Sequence, residues 1–159
     1  MNEDRTFREA LLDLYANLDR DIAAANPVCN LSGRCCRFKE YGHTLFLSRS
    51  EANVLLEPGL PSKHIDENLC PFQINGLCTA RERRPMGCRV YFCDPNYVGV
   101  GEVISERYMS RLKQLHNLFD VPWDYRTLHD FLHERVTTGE SSADNTSPDP
   151  HESIGQPGG

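Results

Sequence analysis

The chain of 159 residues carries seven cysteines (Cys29, Cys35, Cys36, Cys70, Cys78, Cys88 and Cys93), and all of them fall between positions 29 and 93. No other feature constrains the fold so strongly. A chain of this length buries roughly two thirds of its unfolded surface and does not need covalent staples, so the cysteines serve another purpose. Their odd number leaves one thiol over in any complete disulfide scheme. The first residues, MNEDRTFREALLDLY, hold no apolar run suited to a signal peptide, and nothing downstream has the length of a membrane span. The expectation is a soluble, cytoplasmic protein. In a reducing cytoplasm, clustered cysteines bind metal or do redox work more often than they form stable disulfides.

Around the cysteines the sequence reads as helical. Between residues 4 and 25, Phe7, Leu11, Leu14, Leu18 and Ile22 repeat at the three-and-four spacing of one helical face, and Thr6 with Glu9 forms a capping-box pattern. Pro27 closes that segment. Residues 43–47, HTLFL, read as a short strand, and Ser48 with Glu51 opens a brief helix through Leu56. Ile104, Tyr108, Leu112, Leu115 and Phe119 mark another helix. After the Val121-Pro122-Trp123 corner, Leu128, Phe131, Leu132 and Val136 mark a last one. The expected fold class is mainly α, a small α+β arrangement with one or two short strands, in which helices frame an irregular, metal-stapled centre. Residues 1–136 form one domain with its cysteine core at 29–93. Residues 137–159 have almost nothing apolar and are expected to be a disordered acidic tail.

Four acids of that tail, Glu140, Asp144, Asp149 and Glu152, account for much of the net charge of −6, leaving 19 acids against 17 bases over the rest of the chain. A near-neutral body lacks the basic stripe of a nucleic-acid binder. Nucleic acid and membrane are therefore not expected partners.

The cysteine spacings are C-x5-CC, then Cys70-Pro71, C-x7-C, C-x9-C and C-x4-C, with no Cys-x-x-Cys pair anywhere. Zinc fingers and ribbons usually depend on that knuckle. Cys-Pro also follows ligands in bacterial ferredoxins. Cys35 and Cys36 are adjacent, and neighbouring side chains diverge too far to meet one tetrahedral ion comfortably. One of them packs while the other binds, or the two serve different metal atoms. Arg34, Arg37 and Arg89 flank cysteines; beside a thiolate centre their charge lowers thiolate pKa values, and otherwise they are ordinary solvated arginines. Arg84-Pro85 sets the approach to Cys88.

Taken in order, CNLSGRCC, CPF, NGLC and RRPMGCR resemble the CxxCxxCC cysteine-cluster family of YkgJ type, described as zinc- or iron-chelating domains. The resemblance covers residues 29–89. It implies metal ligands at Cys29, Cys35, Cys36, Cys70, Cys78 and Cys88. Ser32 stands where the family has its second cysteine. Cys93 either replaces that missing thiolate or packs as a small hydrophobe.

Two functional classes follow. The first is a metal-binding protein holding an iron–sulfur cluster, favoured over zinc by the paired cysteines, the all-thiolate donor set and the missing knuckles; its role is redox, iron handling or sensing. The second is an enzyme, because part of the wider family looks related to flagellin lysine methylases that use S-adenosylmethionine. A zinc-stabilised module with a protein partner is a third reading. His129 and His133 lie four apart on a helix, a spacing more often found by coincidence than for a metal. His43 is a further nitrogen near the cysteine centre, and Tyr41, Tyr91, Phe92 and Tyr97 are expected as hydrophobic cover.

Overall fold

A computed structural model describes residues 5–28, 44–61, 65–75, 77–92 and 94–139. Cys29, Cys35, Cys36 and Cys93, together with Ser32, Arg34, Arg37, Tyr41, His43 and the tail from residue 140, lie outside the described residues. Helix α1 runs Phe7–Ala25 and starts at the expected capping box, in which Thr6 accepts from the Glu9 amide and the Glu9 carboxylate accepts from Thr6. It ends at Asn26, whose φ of 50° is the left-handed conformation that asparagine tolerates better than most residues. Strand β1, Phe46–Ser48, leads directly into α2, Arg49–Leu55. A hairpin of β2, Gln73–Ile74, and β3, Leu77–Cys78, precedes a 3₁₀ turn at Arg81–Arg83 and the short helix α3, Met86–Val90. The long helix α4 spans Val98–Leu118. Strand β4, Tyr125–Thr127, then feeds α5, Leu128–Thr137.

The protein is thus mainly helical, with two small antiparallel sheets, a small α+β fold. Four strands are present among the described residues where the sequence led us to expect one or two. The first strand is shifted to 46–48, and β1 pairs with β4 so that Leu47 faces Arg126. This pairing joins segments about eighty residues apart, which no local pattern announces.

Two apolar cores hold the elements. In the first, α1 and α4 pack antiparallel: Phe7 meets His116 near the end of α4 with ring centroids 4.9 Å apart, and Asp21 accepts from the Tyr108 hydroxyl at 2.6 Å. Leu11, Leu14, Leu18, Tyr108 and Leu112 are buried here, with Val54 and Met86 covering one side. The second core joins Leu47, Leu55, Leu56, Cys70, Phe72 and Ala80 to Leu128, Phe131 and Leu132 of α5. The described part of the cysteine-bearing centre does not bury itself alone. Helix α5 supplies the missing hydrophobes, from more than forty residues downstream. Val136, read as part of that apolar face, is 55 % exposed instead.

An ionic lattice closes the outer edge of the second core. Arg49 donates to Asp124 at 2.8 Å and to both oxygens of Glu134 at 2.8 and 2.9 Å, while Arg126 donates to the same two acids. Hydrogen bonds from Arg49 hold the Glu134 carboxyl down at about 2. Among the described residues no helix is long and apolar enough to cross a membrane.

Leu132 is fully buried. Leu132→Ala is expected to destabilise the protein by about 2–5 kcal/mol, the usual cost of a core leucine truncation, read from the urea unfolding midpoint. Because the folded Glu134 carboxyl titrates near 2, below its ordinary 4.5, its stabilising contribution is full above pH 4.5 and is lost as the pH falls toward 2. Glu134→Gln should therefore flatten the loss of stability over that acid range.

Candidate functional site

The described cysteines lie on two neighbouring elements. Cys70 precedes β2 and is buried in the second core; its carbonyl accepts from the Gln73 amide at 3.2 Å. Cys78 ends β3, stands opposite Gln73, and packs against the same core. The hairpin therefore carries both thiols against one apolar cluster. Its connection begins with Asn75, at a φ of 52°. The Asn75-Gly76 dipeptide is the strongest short-range hairpin signal a sequence offers, and it is how this element could have been anticipated.

Cys88 belongs to α3. It lines an open cavity of about 220 Å³ together with Thr44, Leu45, Phe46, Gly87, Tyr91 and Tyr125. Leu45 also packs against the second core, so it stands between this cavity and the core that holds Cys70 and Cys78. In donor chemistry these thiols suit a soft metal or an iron–sulfur centre. Among the described residues, no group of three or more Cys, His, Asp or Glu side chains is assembled closely enough to hold an ion. The remaining four cysteines lie outside the described residues.

What seats α3 is a buried carboxyl. Glu51 is 1 % exposed and belongs to three structures at once. One oxygen accepts from the Ser48 amide at 2.9 Å and hydroxyl at 3.2 Å, completing the α2 capping box; the other accepts from the Met86 amide at 2.8 Å and the Tyr15 hydroxyl at 3.3 Å. Pro85 has no side-chain cap to offer, so Glu51 satisfies the first amide of α3 from a distant helix. Burial pushes the Glu51 carboxyl up, against hydrogen bonds from Ser48, Met86 and Tyr15 that pull it down. Burial likewise raises the Tyr15 phenol well above its ordinary value, and the Glu51 charge adds to the rise. The S-x-x-E pattern revealed only half of this role, because the second oxygen's partners are remote in sequence.

Arg89 is not a solvated arginine, one of the two readings the sequence left open. It is 6 % exposed, donates to the carbonyls of Arg84 at 2.7 Å and Glu82 at 2.6 Å, and pairs with Asp19 at 2.7 Å. Its guanidinium lies 4.2 Å from the centroid of the Tyr15 ring. These contacts tie α3 and the preceding turn to α1, a scaffolding role. Arg84 is extended and Pro85 is fully buried, so the pair fixes the entry into α3 as expected.

Other sequence candidates find different employment. His129 contacts the Asp66 carbonyl at 2.9 Å and His133 contacts Glu67 at 3.4 Å, with their ring centroids 6.5 Å apart. They brace the 65–68 turn against α5. Tyr97 is buried and meets Phe92 edge-on at 5.2 Å, both within the first core, whereas Tyr91 is exposed at the rim of the Cys88 cavity. Sequence reasoning missed the cavity and the aromatic row beside it, although Trp123 and Tyr125, two apart before a helix, share one face of an extended segment.

No family model, curated protein or solved structure matches the chain.

Glu51→Gln places an amide N–H₂ where one carboxylate oxygen now meets only donors. The variant is expected to lose about 1–3 kcal/mol, the cost of a buried donor left without an acceptor. The pH dependence supplies a second check. A folded carboxyl raised above 4.5 keeps its proton where the unfolded chain has lost it, so its contribution to stability falls as pH rises from 4.5 through the raised value. Denaturant midpoints collected upward from pH 4.5 should show that decline in the parent, and it should be missing from Glu51→Gln.

Proposed function

We propose that the chain is a metal-binding cysteine-cluster protein in which thiolates of the 29–93 region hold an iron–sulfur cluster. The ligands come from Cys29, Cys35, Cys36, Cys70, Cys78, Cys88 and Cys93, and the resemblance to the YkgJ-type family belongs to this reading. The observation that carries it is the confinement of every cysteine to one segment of 65 residues, none outside it. Supporting it, two of the described thiols share a hairpin flank and a third opens onto the neighbouring cavity. The frame behind them suits a centre of this kind. Glu51 accepts from the first amide of α3, and Arg89 ties the helix down through charge-assisted hydrogen bonds, which are stronger and more directional than neutral ones, so Cys88 is held without help from a metal. Preorganised thiols lower the ordering cost of binding.

The adjacent Cys35 and Cys36, the Cys70-Pro71 pair and the all-sulfur donor set favour iron–sulfur over zinc. Such a centre serves redox chemistry, iron handling or sensing. A bound centre also links to folding, because a site absent from the unfolded chain converts binding free energy into stability.

Anaerobic purification, followed by visible absorption and by iron, sulfide and zinc analysis, tests the reading. The expected outcome is a brown protein with stoichiometric iron and acid-labile sulfide, and Cys70→Ser and Cys88→Ser should each lose most of that metal while Leu118→Ala keeps it. Stoichiometric zinc in a colourless protein replaces the iron assignment. Absence of any stoichiometric metal from oxygen-free material overturns the proposal.

A further inference from the structure

The turn before Cys70 and one flank of α5 face each other with metal-binding groups on both sides. Leu128, Phe131 and Leu132 bury one side of α5 in the second core. His129 and His133, one helical turn apart, then meet residues 65–68. That turn is itself well fixed. Ile65 packs on the same core, the Asp66 carbonyl accepts from the Leu69 amide at 3.1 Å, and the Asp66 carboxylate accepts from the Asn68 amide and side chain, both at 2.9 Å. Across the gap the His129 Nε2 lies 2.9 Å from the Asp66 carbonyl, and the His133 Nε2 lies 3.4 Å from Glu67 Oε1. Among the described residues Glu67 meets no arginine or lysine. Glu134, the acid next to His133, is already held by Arg49 and Arg126.

We propose that His129, His133 and Glu67 form a binding site for a zinc ion, separate from the thiolate centre. The His133–Glu67 separation carries the argument. At 3.4 Å it is too long for a good hydrogen bond. Two donors that share a tetrahedral zinc through bonds of about 2.0–2.1 Å stand about 3.3–3.4 Å from each other. This pair is therefore already at the separation an ion imposes. Histidines at i and i+4 on one helical face hold zinc from a helix, and the two ring centroids here are 6.5 Å apart. Spacing alone does not make a metal pair; the facing turn adds what it lacks, a third donor of opposite charge. As the side chains stand, no three of them enclose one point. Closing the site requires His129 to swing from the Asp66 carbonyl toward its neighbour, while the His133 and Glu67 side chains, both more than half exposed, are able to follow. Each imidazole binds in its neutral form through Nε2, with the ring proton on Nδ1. Two such nitrogens and one carboxylate suit Zn²⁺, with water in the fourth position. Asp130 follows His129, and its carboxylate accepts from the Thr127 amide at 3.3 Å, so that acid belongs to the α5 cap and not to the ion. The ion acts as a clasp that joins α5 to the chain entering Cys70.

This site does not depend on the thiolate reading, and the two are measured separately. The full chain is purified without oxygen, its iron, sulfide and zinc content is recorded, and it is then titrated with zinc chloride while the histidine ring resonances are followed by NMR. The expected result is a saturable movement of the His129 and His133 resonances, with the buried His116 staying in place. His129→Ala and His133→Ala should each weaken this binding about tenfold or more, the scale on which metal affinity responds to altered ligation. Glu67→Gln should weaken it as well. All three variants should keep the iron and sulfide of the parent, so a failure here is told apart from a failure of the cluster assignment. Because an ion that binds only the folded chain stabilises it, added zinc should raise the thermal midpoint of the parent and leave that of His133→Ala where it was. His133 is mostly exposed, so its removal does not threaten the core. Zinc that moves neither or only one of the two histidines, that moves His116 equally, or that binds Glu67→Gln as tightly as the parent overturns the proposal.

Discussion

A carboxyl group sealed from water and surrounded by four donors dictates where its neighbours stand. Glu51 reaches Tyr15 on α1, Ser48 at the start of α2 and the first amide of α3. Shifting any one of these leaves a buried donor or a buried charge unsatisfied, which costs more than the loss of an exposed contact. The three elements are therefore positioned by direction as well as by apolar area. The hydrophobic effect alone would let α3, a helix of only five residues, slide on its bed of Leu45 and Val54. Arg89 removes the remaining freedom, since its guanidinium spends donors on two carbonyls and Asp19 while lying over the Tyr15 ring. The thiol of Cys88 sits between these two anchors.

The lattice of Arg49, Arg126, Asp124 and Glu134 works differently. Its members are each roughly one third exposed, so solvent screens them and each pair contributes little by itself. Their geometry is nevertheless shared among α2, β4 and α5, and both guanidiniums lie over the Phe131 ring at 5.4 and 4.5 Å. The lattice fixes how α5 docks, and α5 completes the core beneath Cys70 and Cys78. One polar cluster thus aligns Cys88 and another, more exposed, aligns the hairpin.

Signals confined to a few residues were legible in the sequence. The Thr6–Glu9 and Ser48–Glu51 boxes located the starts of α1 and α2, and the apolar stripe from Ile104 to Phe119 located α4, although the helix begins earlier, at Val98, and Phe119 caps its end. The Thr127–Asp130 box opens α5 in the same way, but with aspartate in place of the usual Glu or Gln. Relations between distant segments were not legible. The buried state of Arg89 depends on Asp19, seventy residues away, and the pairing of β1 with β4 joins the expected short strand to a segment just past the Val121-Pro122-Trp123 corner, about eighty residues on. The cysteine pattern named candidate ligands by chemistry, and chemistry does not specify which side chains converge.

The cavity beside Cys88 is narrowed by a close approach at Gly87. A methyl group built on Gly87 would come within 3.1 Å of the Leu45 side chain and 3.6 Å of the Phe46 carbonyl, so α3 lies nearly flush against the start of β1. Leu45 cannot retreat, because it packs on the second core. The opening between Cys88 and the aromatic row is consequently set by a glycine on one wall and a close-packed core behind the other. Phe46 and Leu47 are successive residues of one strand, so the exposed ring lies on one face and the leucine on the other, within the core that holds Cys70 and Cys78.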